Sequence, residues 1–192
     1  YWLNELLKIK HFYNADVVAG RVDIEFESDP PLWIKKGNFF KKNAKETGTI
    51  LKYVSTANVL VDISVFKNGK NLFNEKMALT GGADTHFFLG VYKSGYKMVW
   101  ANEAVVKELI PTSRMNVIWL LKRSFRTSST LSICIRDYKK NNFELIYRFF
   151  KGIIRIFLSL ILIIPSIFMG KVFVIKCLRS FFMGIGNIFG LM

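Results

Sequence analysis

The sequence predicts an α/β domain with a mixed sheet, followed by basic and then hydrophobic C-terminal helices. Three observations carry that prediction. Strand-like and helix-like patterns alternate through the first 110 residues, positive charge gathers beyond them, and the 15 residues 156–170 (IFLSLILIIPSIFMG) carry no charge. In 192 residues, 28 Lys and Arg stand against 14 Asp and Glu, a net charge of +14, and 51% of residues are hydrophobic. The mean hydropathy is +0.25. Such a chain buries enough apolar surface to offset its ordering entropy, which excludes a disordered segment. Its length fits one domain with an appendage. Cys134 and Cys177 lie far apart with no Cys or His at ligand spacing, which excludes a disulfide framework and a structural zinc site and predicts reduced thiols. The chain opens on Tyr1, and no basic segment, short apolar run and cleavage site follow it, so no secretion is expected.

The elements follow in order. Leu3, Leu6 and Leu7 at helical spacing predict a short helix, broken at Asn14. Residues 16–20 lead into a strand, and Val22, Asp23, Ile24, Glu25, Phe26 and Glu27 alternate apolar with acidic, a strand with one wet face. Pro30-Pro31 ends it. The Lys-, Asn- and Gly-rich stretch 35–48 predicts a surface loop or ragged helix, and a further strand is expected at 58–64. A turn at Asn68-Gly69 precedes the segment 72–82, which ends in two glycines. Asp84 then opens a helix with Phe87, Phe88, Val91 and Tyr92 on one face, and Gly95 closes it. A strand at Tyr96–Trp100 and a second apolar stretch at 104–110 follow, closed by Pro111. This order is an α/β pattern. From Ser113, read as the N-cap, a long helix carries Val117, Trp119, Leu120, Leu121 and Phe125, with Arg114, Lys122, Arg123 and Arg126 on its polar side.

Charge divides the chain. Residues 1–110 hold 15 basic and 12 acidic side chains, whereas 111–192 hold 13 basic residues and two acids, Asp137 and Glu144. Basic residues beside apolar segments favour an anionic membrane surface. No helix-turn-helix, RNP motif or zinc-finger spacing is visible, so no nucleic-acid partner is expected.

Thr80-Gly81-Gly82-Ala83-Asp84-Thr85 sets a carboxylate just after a glycine pair at a helix start. The glycines permit a tight turn and close approach of a ligand. Two readings stand: Asp84 is an N-cap that satisfies first-turn amides, or a carboxylate available for chemistry.

The run LTGGADTHFFLGVYKSGYKMVWANEAVV, followed by PTSRMNVIWLLKRSFRT, resembles the C-terminal half of the family 2 glycosyltransferases of bacterial polysaccharide synthesis. ADVVAGRV at 15–22, GTILKYVSTANVL at 48–60 and LFNEKMAL at 72–79 fall in the family's order, and the resemblance covers roughly residues 1–135. It implies the C-terminal, acceptor-side half of a mixed α/β GT-A type domain at 1–135 with a membrane-associated tail at 136–192. It also implies a nucleotide-sugar donor, a polysaccharide or lipid-linked acceptor and a divalent cation, Mn or Mg. In the family, the residue matching Asp84 is the general base on the acceptor hydroxyl. Asn58, Gly81, Gly82 and Thr85 would then bind the acceptor, and Arg114, Trp119, Arg123 and Arg126 would approach the donor diphosphate.

The departures are specific. Ala83 replaces the family's usual Glu, His86 its second acid, and Ser128 a Gly that often follows the Arg-Thr pair. His86, alone on a helix, is read as a surface residue rather than a metal ligand. No Asp-x-Asp occurs, so the cation's ligands are not in this chain, which is expected to be a fragment or a truncated gene product. The Gln-x-x-Arg-Trp pattern of processive synthases is absent, so one sugar per acceptor is expected. The alternative is a catalytically inactive, membrane-bound remnant or interaction module.

In the tail, the uncharged run is short for a span, and its extension over 156–175 gives a candidate single transmembrane helix, kinked by Pro165. Residues 171–189 set Lys176, Arg179, Ser180 and Asn187 in one arc and Phe173, Cys177, Leu178, Phe181, Ile185 and Ile188 opposite, an interfacial amphipathic helix. The expected setting is the cytoplasmic face of the cell membrane.

Overall fold

The computed structural model describes residues 1–67, 73–77, 81–138 and 142–192. Its elements run α1 (Trp2–Tyr13), β1 (Val17–Phe26), α2 (Leu32–Gly37), β2 (Val59–Val61), α3 (Ser64–Lys67), α4 (Ala83–Lys93), β3 (Met98–Ile110), α5 (Val117–Asp137), α6 (Phe143–Met169) and α7 (Lys171–Phe189), with short 3-10 turns at Glu75–Met77 and Thr112–Arg114. The expected turn at Asn68-Gly69 lies outside the described residues. Two compact units form, one from 1–25 with 42–109, the other from 26–41 with 110–192. α5 runs unbroken through position 135.

The first unit is built around a three-stranded sheet in the order β2-β1-β3. β1 and β2 are antiparallel, with Val17 opposite Val61 and Ala19 opposite Val59. At β1's start, the Asp16 and Val17 amides both donate to Lys97 O, while the Glu27 amide past its end donates to Ile110 O, so β1 and β3 run the same way and the sheet is mixed. Side chains alternate across it as a pleated strand requires. Val17, Ala19 and Met98 face Phe87, Phe88 and Val91 of α4, and Val18, Val99 and Ala101 face Leu6 and Ile9 of α1. The buried rings of Phe87 and Phe88 meet edge to face at 4.9 Å, and burial of each contributes about 1.5–3 kcal/mol.

Several sequence expectations are corrected here. The stretches 96–100 and 104–110 are joined in one 13-residue strand, Met98–Ile110, with Met98, Val99, Ala101, Ala104 and Ile110 buried along it. β2 keeps only three residues of 58–64, since the Asp62 carboxylate turns back to accept from the Ser64 amide at 2.9 Å and starts α3. Within 35–48, α2 ends at Asn38, which takes the left-handed conformation (φ 51°). Asn14 does the same after α1 (φ 46°), as the break in its pattern predicts.

In the second unit, α5 begins at Val117 rather than at Ser113. Asn116 is the N-cap, its Oδ1 accepting from the Trp119 amide at 2.8 Å. The expected continuous helix over 156–175 is broken at Gly170 (φ 98°), where no Cβ resists the turn. Pro165 lies inside α6 and does not end it. α6 and α7 form an antiparallel hairpin: a Cβ added to Gly152 would stand only 3.0 Å from Gly184 O, and nearer the turn Cys177 Sγ reaches Leu162 O at 3.8 Å.

α7 also packs along α5, and two members of its polar arc, Arg179 and Asn187, are turned to that helix while Lys176 stays exposed. Arg179 Nε donates to Ser124 Oγ at 3.1 Å, and the fully buried Asn187 accepts from Ser128 Oγ at 3.0 Å. From α6, buried Arg148 donates through Nε to Ser132 Oγ at 3.1 Å. Ser124, Ser128 and Ser132 are spaced at i, i+4 and i+8, one stripe of α5. Small residues let these backbones close: a Cβ on Gly186 would strike Phe125 O, and one on Gly190 would strike Ser129 O.

Two outcomes follow. Gly186→Val should loosen the α5–α7 contact and lower the unfolding free energy by at least about 1–3 kcal/mol, read by denaturant unfolding followed by circular dichroism. The Lys10 ammonium, 2.7 Å away, and the Ser64 amide hold the Asp62 carboxyl well below its ordinary range. That stabilisation is present above the carboxyl's unfolded pKa and lost as pH falls through its lower folded pKa. Stability of the wild type should therefore fall more steeply below about pH 4 than that of Asp62→Asn, in urea titrations at stepped pH.

Candidate functional site

α4 begins at Ala83 with Gly82 as its N-cap residue (φ 94°), preceded by Gly81 (φ 77°). Asp84 is therefore in the first turn and is not the N-cap, which corrects the simpler of its two sequence readings. Its Oδ1 accepts from the Thr85 amide at 2.7 Å and lies 3.4 Å from Thr85 Oγ1. A carboxylate there is favoured by the positive end of the helix dipole.

Asp84 and Thr85 open onto a pocket of about 310 Å³, walled by Ala19, Gly20, Val22 and Leu51 and by the polar side chains of Lys42, Lys45, Tyr53, Ser55, Asn58 and Trp100. All these residues belong to the first unit. The pocket sits over the sheet face that α4 covers. Its back is fixed by Asn58, which is 4% exposed. Asn58 Nδ2 donates to Arg21 O of β1 at 2.9 Å and to Ala104 O of β3 at 2.8 Å. Gly20 makes that bridge possible, because a Cβ there would collide with Asn58 Nδ2 and Ala104 O. Asn58 Oδ1 and Trp100 Nε1 are buried with no hydrogen-bond partner among the described residues, so the pocket wall holds unspent polar capacity.

Of the residues singled out from sequence, Asp84, Thr85 and Asn58 are brought together at this pocket, while Gly81 and Gly82 shape the entry into α4. The second unit holds the others. Arg114 lies in the 3-10 turn before α5, and its guanidinium stands 5.7 Å from the Trp119 ring centre, with that of Arg123 at 5.0 Å. The Trp119 ring also stacks with Phe40 at 5.7 Å. Two guanidinium groups held on one indole suit an anion. Arg126 is exposed further along α5. His86, expected at the surface, is buried at 8% exposure, because α4 is enclosed at every position from 86 to 91. Ser128 is buried against α7.

Sequence reasoning missed Trp100, Tyr53, Lys42 and Lys45. Trp100 had a readable signal, an aromatic residue inside an apolar strand. The lysines lie in an irregular stretch whose course the local sequence does not fix.

Among the described residues, no group of three or more His, Cys, Asp and Glu is placed to hold a metal. Among the described residues that line the pocket, Asp84 is the only acidic one, and it shares the wall with two lysines. These residues do not fit a divalent cation, which requires several oxygen ligands.

Over 129 residues the chain is 29% identical to the succinoglycan biosynthesis protein ExoM of Rhizobium meliloti (strain 1021). The match takes in 67% of this chain and 42% of that protein, so the chain spans about two fifths of the relative's length. No protein-family model and no solved structure matches the chain.

The Asn58 bridge yields a stability prediction. Asn58→Leu keeps the bulk but strips two strand carbonyls of a donor, and should cost about 2–4 kcal/mol in urea unfolding. Thr85→Val at the pocket mouth should cost less than about 1 kcal/mol in the same measurement.

Proposed function

We propose that this chain is the acceptor-side part of an inverting sugar transferase of polysaccharide biosynthesis. It would move one sugar from a nucleotide-sugar donor to a polysaccharide or lipid-linked acceptor, at the cytoplasmic face of a membrane. The observation that carries the reading is the Asp84 carboxylate lining a largely apolar pocket whose wall also holds two buried polar atoms without a partner among the described residues, Asn58 Oδ1 and Trp100 Nε1. The likeness to a protein of succinoglycan biosynthesis supports it, as do two C-terminal helices long and apolar enough to cross a membrane.

An alcohol is a poor nucleophile until a positioned base accepts its proton. Asp84 takes that proton while the acceptor oxygen bonds to the sugar's anomeric carbon and the bond from that carbon to the donor's diphosphate breaks, with inversion. The nucleoside diphosphate leaves with the electron pair. Asn58 holds the pocket wall, and Thr85 and Ser55 offer hydroxyls to the acceptor. Arg114 and Arg123, gathered on Trp119, are assigned to the donor diphosphate, where guanidinium forks match phosphate oxygens, with Arg126 adding charge. The family resemblance implies a divalent cation for the leaving group, whose ligands would lie outside this chain.

A specific observation favours the alternative, an inactive membrane-bound module: Ala83 stands beside Asp84 where the family has an acid.

Transfer of radiolabelled sugar from nucleotide donors to lipid-linked oligosaccharide separates the two once a donor half is restored, by fusing one from a related transferase ahead of this chain, because the chain alone is expected to transfer nothing. Asp84→Asn keeps the side chain's size and its bond to the Thr85 amide, so circular dichroism should not change, while turnover should fall by about 10²–10⁴-fold. Unchanged turnover in a folded Asp84→Asn protein would remove Asp84 from the chemistry. No transfer by the fused wild type with any donor favours the inactive module.

A further inference from the structure

α6 has two opposite faces. Arg148, Gly152, Arg155, Ser159 and Ser166 fall on one side, and of these Arg148, Gly152, Ser159 and Ser166 are buried. Ile146, Phe150, Ile153, Phe157, Ile161, Ile164 and Phe168, spaced by three and four residues, fall on the other. All seven are exposed, Phe168 to 87% and Phe157 to 66%. This stripe runs the full length of a helix of 27 residues, about 40 Å. Its length and hydropathy alone would suit a helix that crosses a bilayer.

α5 decides otherwise. α7 is fastened along α5 by the Arg179–Ser124 and Asn187–Ser128 hydrogen bonds, and by the backbone approaches of Gly186 and Gly190. α6 is fastened to both, through Arg148–Ser132 and through Gly152 against Gly184. A crossing by the hairpin would therefore carry the adjoining length of α5 to the same depth, with Lys122, Arg123 and Arg126 on it. Three cations at mid-bilayer depth are a large and uncompensated cost. Laid flat, the same charges meet the headgroups of an anionic leaflet, where they are attractive. Lys151, Lys171 and Lys176 add to that charge on the hairpin itself.

We infer that α5, α6 and α7 form an in-plane anchor: the outer stripe of α6 is submerged in one leaflet of an anionic bilayer, parallel to its surface, and none of the three helices crosses. The occupant of the apolar face is the acyl region of that leaflet. The groove of about 330 Å³ between α6 and α7, lined by Leu158, Leu162, Pro165, Met169 and Phe173 with Lys176 among its lining residues, takes acyl chain in the same orientation. The inference rests on the membrane setting proposed above but not on sugar transfer.

The test uses the full chain on vesicles of phosphatidylcholine with phosphatidylglycerol as about a third of the lipid. Cys134 and Cys177 are changed to alanine, and single nitroxide-labelled cysteines replace Ile146, Phe150, Ile153, Phe157, Ile161, Ile164 and Phe168 in turn. Accessibility to oxygen and to a water-soluble nickel chelate gives the depth of each label. The expected profile is one shallow depth shared by all seven. A depth that peaks near Phe157 and falls toward both ends would overturn the in-plane anchor while leaving membrane attachment standing. Labels that remain in water, or that are immobilised against a second copy without vesicles, would overturn the anchor and the membrane setting together. As an independent check on the submerged stripe, the pair Phe157→Glu and Ile161→Glu should weaken vesicle partitioning at least about tenfold with unchanged circular dichroism. Undiminished partitioning would also overturn it.

Discussion

One side-chain amide organises the part of the molecule that holds the pocket. Asn58 gives its two protons to carbonyls on β1 and β3, two strands that run the same way and are separated in sequence by the whole of β2, α3 and α4. Parallel neighbours need a long crossover, so a local fastening between them substitutes for the tight hairpin that antiparallel strands enjoy. The fastening demands a position without a side chain, which Gly20 provides, and it leaves an amide oxygen buried beside the cavity. Sheet register, the absence of bulk at Gly20 and the polar back wall are thus consequences of one contact.

α4 brings chemistry to that wall. Its first turn follows two glycines with positive φ, so the chain enters the helix sharply and Asp84 emerges at the pocket mouth. Phe87 and Phe88, one turn on, anchor the helix to the sheet. The placement of the carboxylate therefore derives from core packing, which is why a residue of the first turn can be held at the pocket while remaining partly exposed. The burial of His86 has the same origin, because α4 is buried at every position from 86 to 91.

Where α5, α6 and α7 meet, polar side chains are buried while much of the apolar surface of α6 faces outward. Serines at every fourth position of α5 receive Arg179, Asn187 and Arg148, and glycines of α6 and α7 allow near contact of backbones. Hydrogen bonds and close packing hold these helices together, as they must where the outer surface is apolar and burial of greasy side chains between helices gains little. The phenylalanines and isoleucines of α6 are left facing outward.

What the sequence by itself determined was periodicity and punctuation. The helix ending at Asn14, the alternating strand before Pro30-Pro31, the helix with Phe87, Phe88 and Val91 on one face, and the bounds of 171–189 are all set by local spacing and by residues that permit or forbid one backbone conformation. The candidate base and its neighbours Asn58 and Thr85 were also legible, through resemblance of motifs. Tertiary structure decided what local pattern leaves open. It joined 96–110 into one strand, since a strand continues wherever a core receives it, and it moved the start of α5 to Asn116, whose side chain alone reaches the right amide. It broke 156–175 at Gly170 and turned Arg179 and Asn187 of α7's polar arc toward α5. Periodicity states that a helix has two unlike faces, but which of them is buried depends on the partner, and the serine stripe of α5 is a partner of the polar kind. Lys42, Lys45, Tyr53 and Trp100 reach the pocket only by the path of the chain, because their nearness to Asp84 is a fact of contact between distant segments.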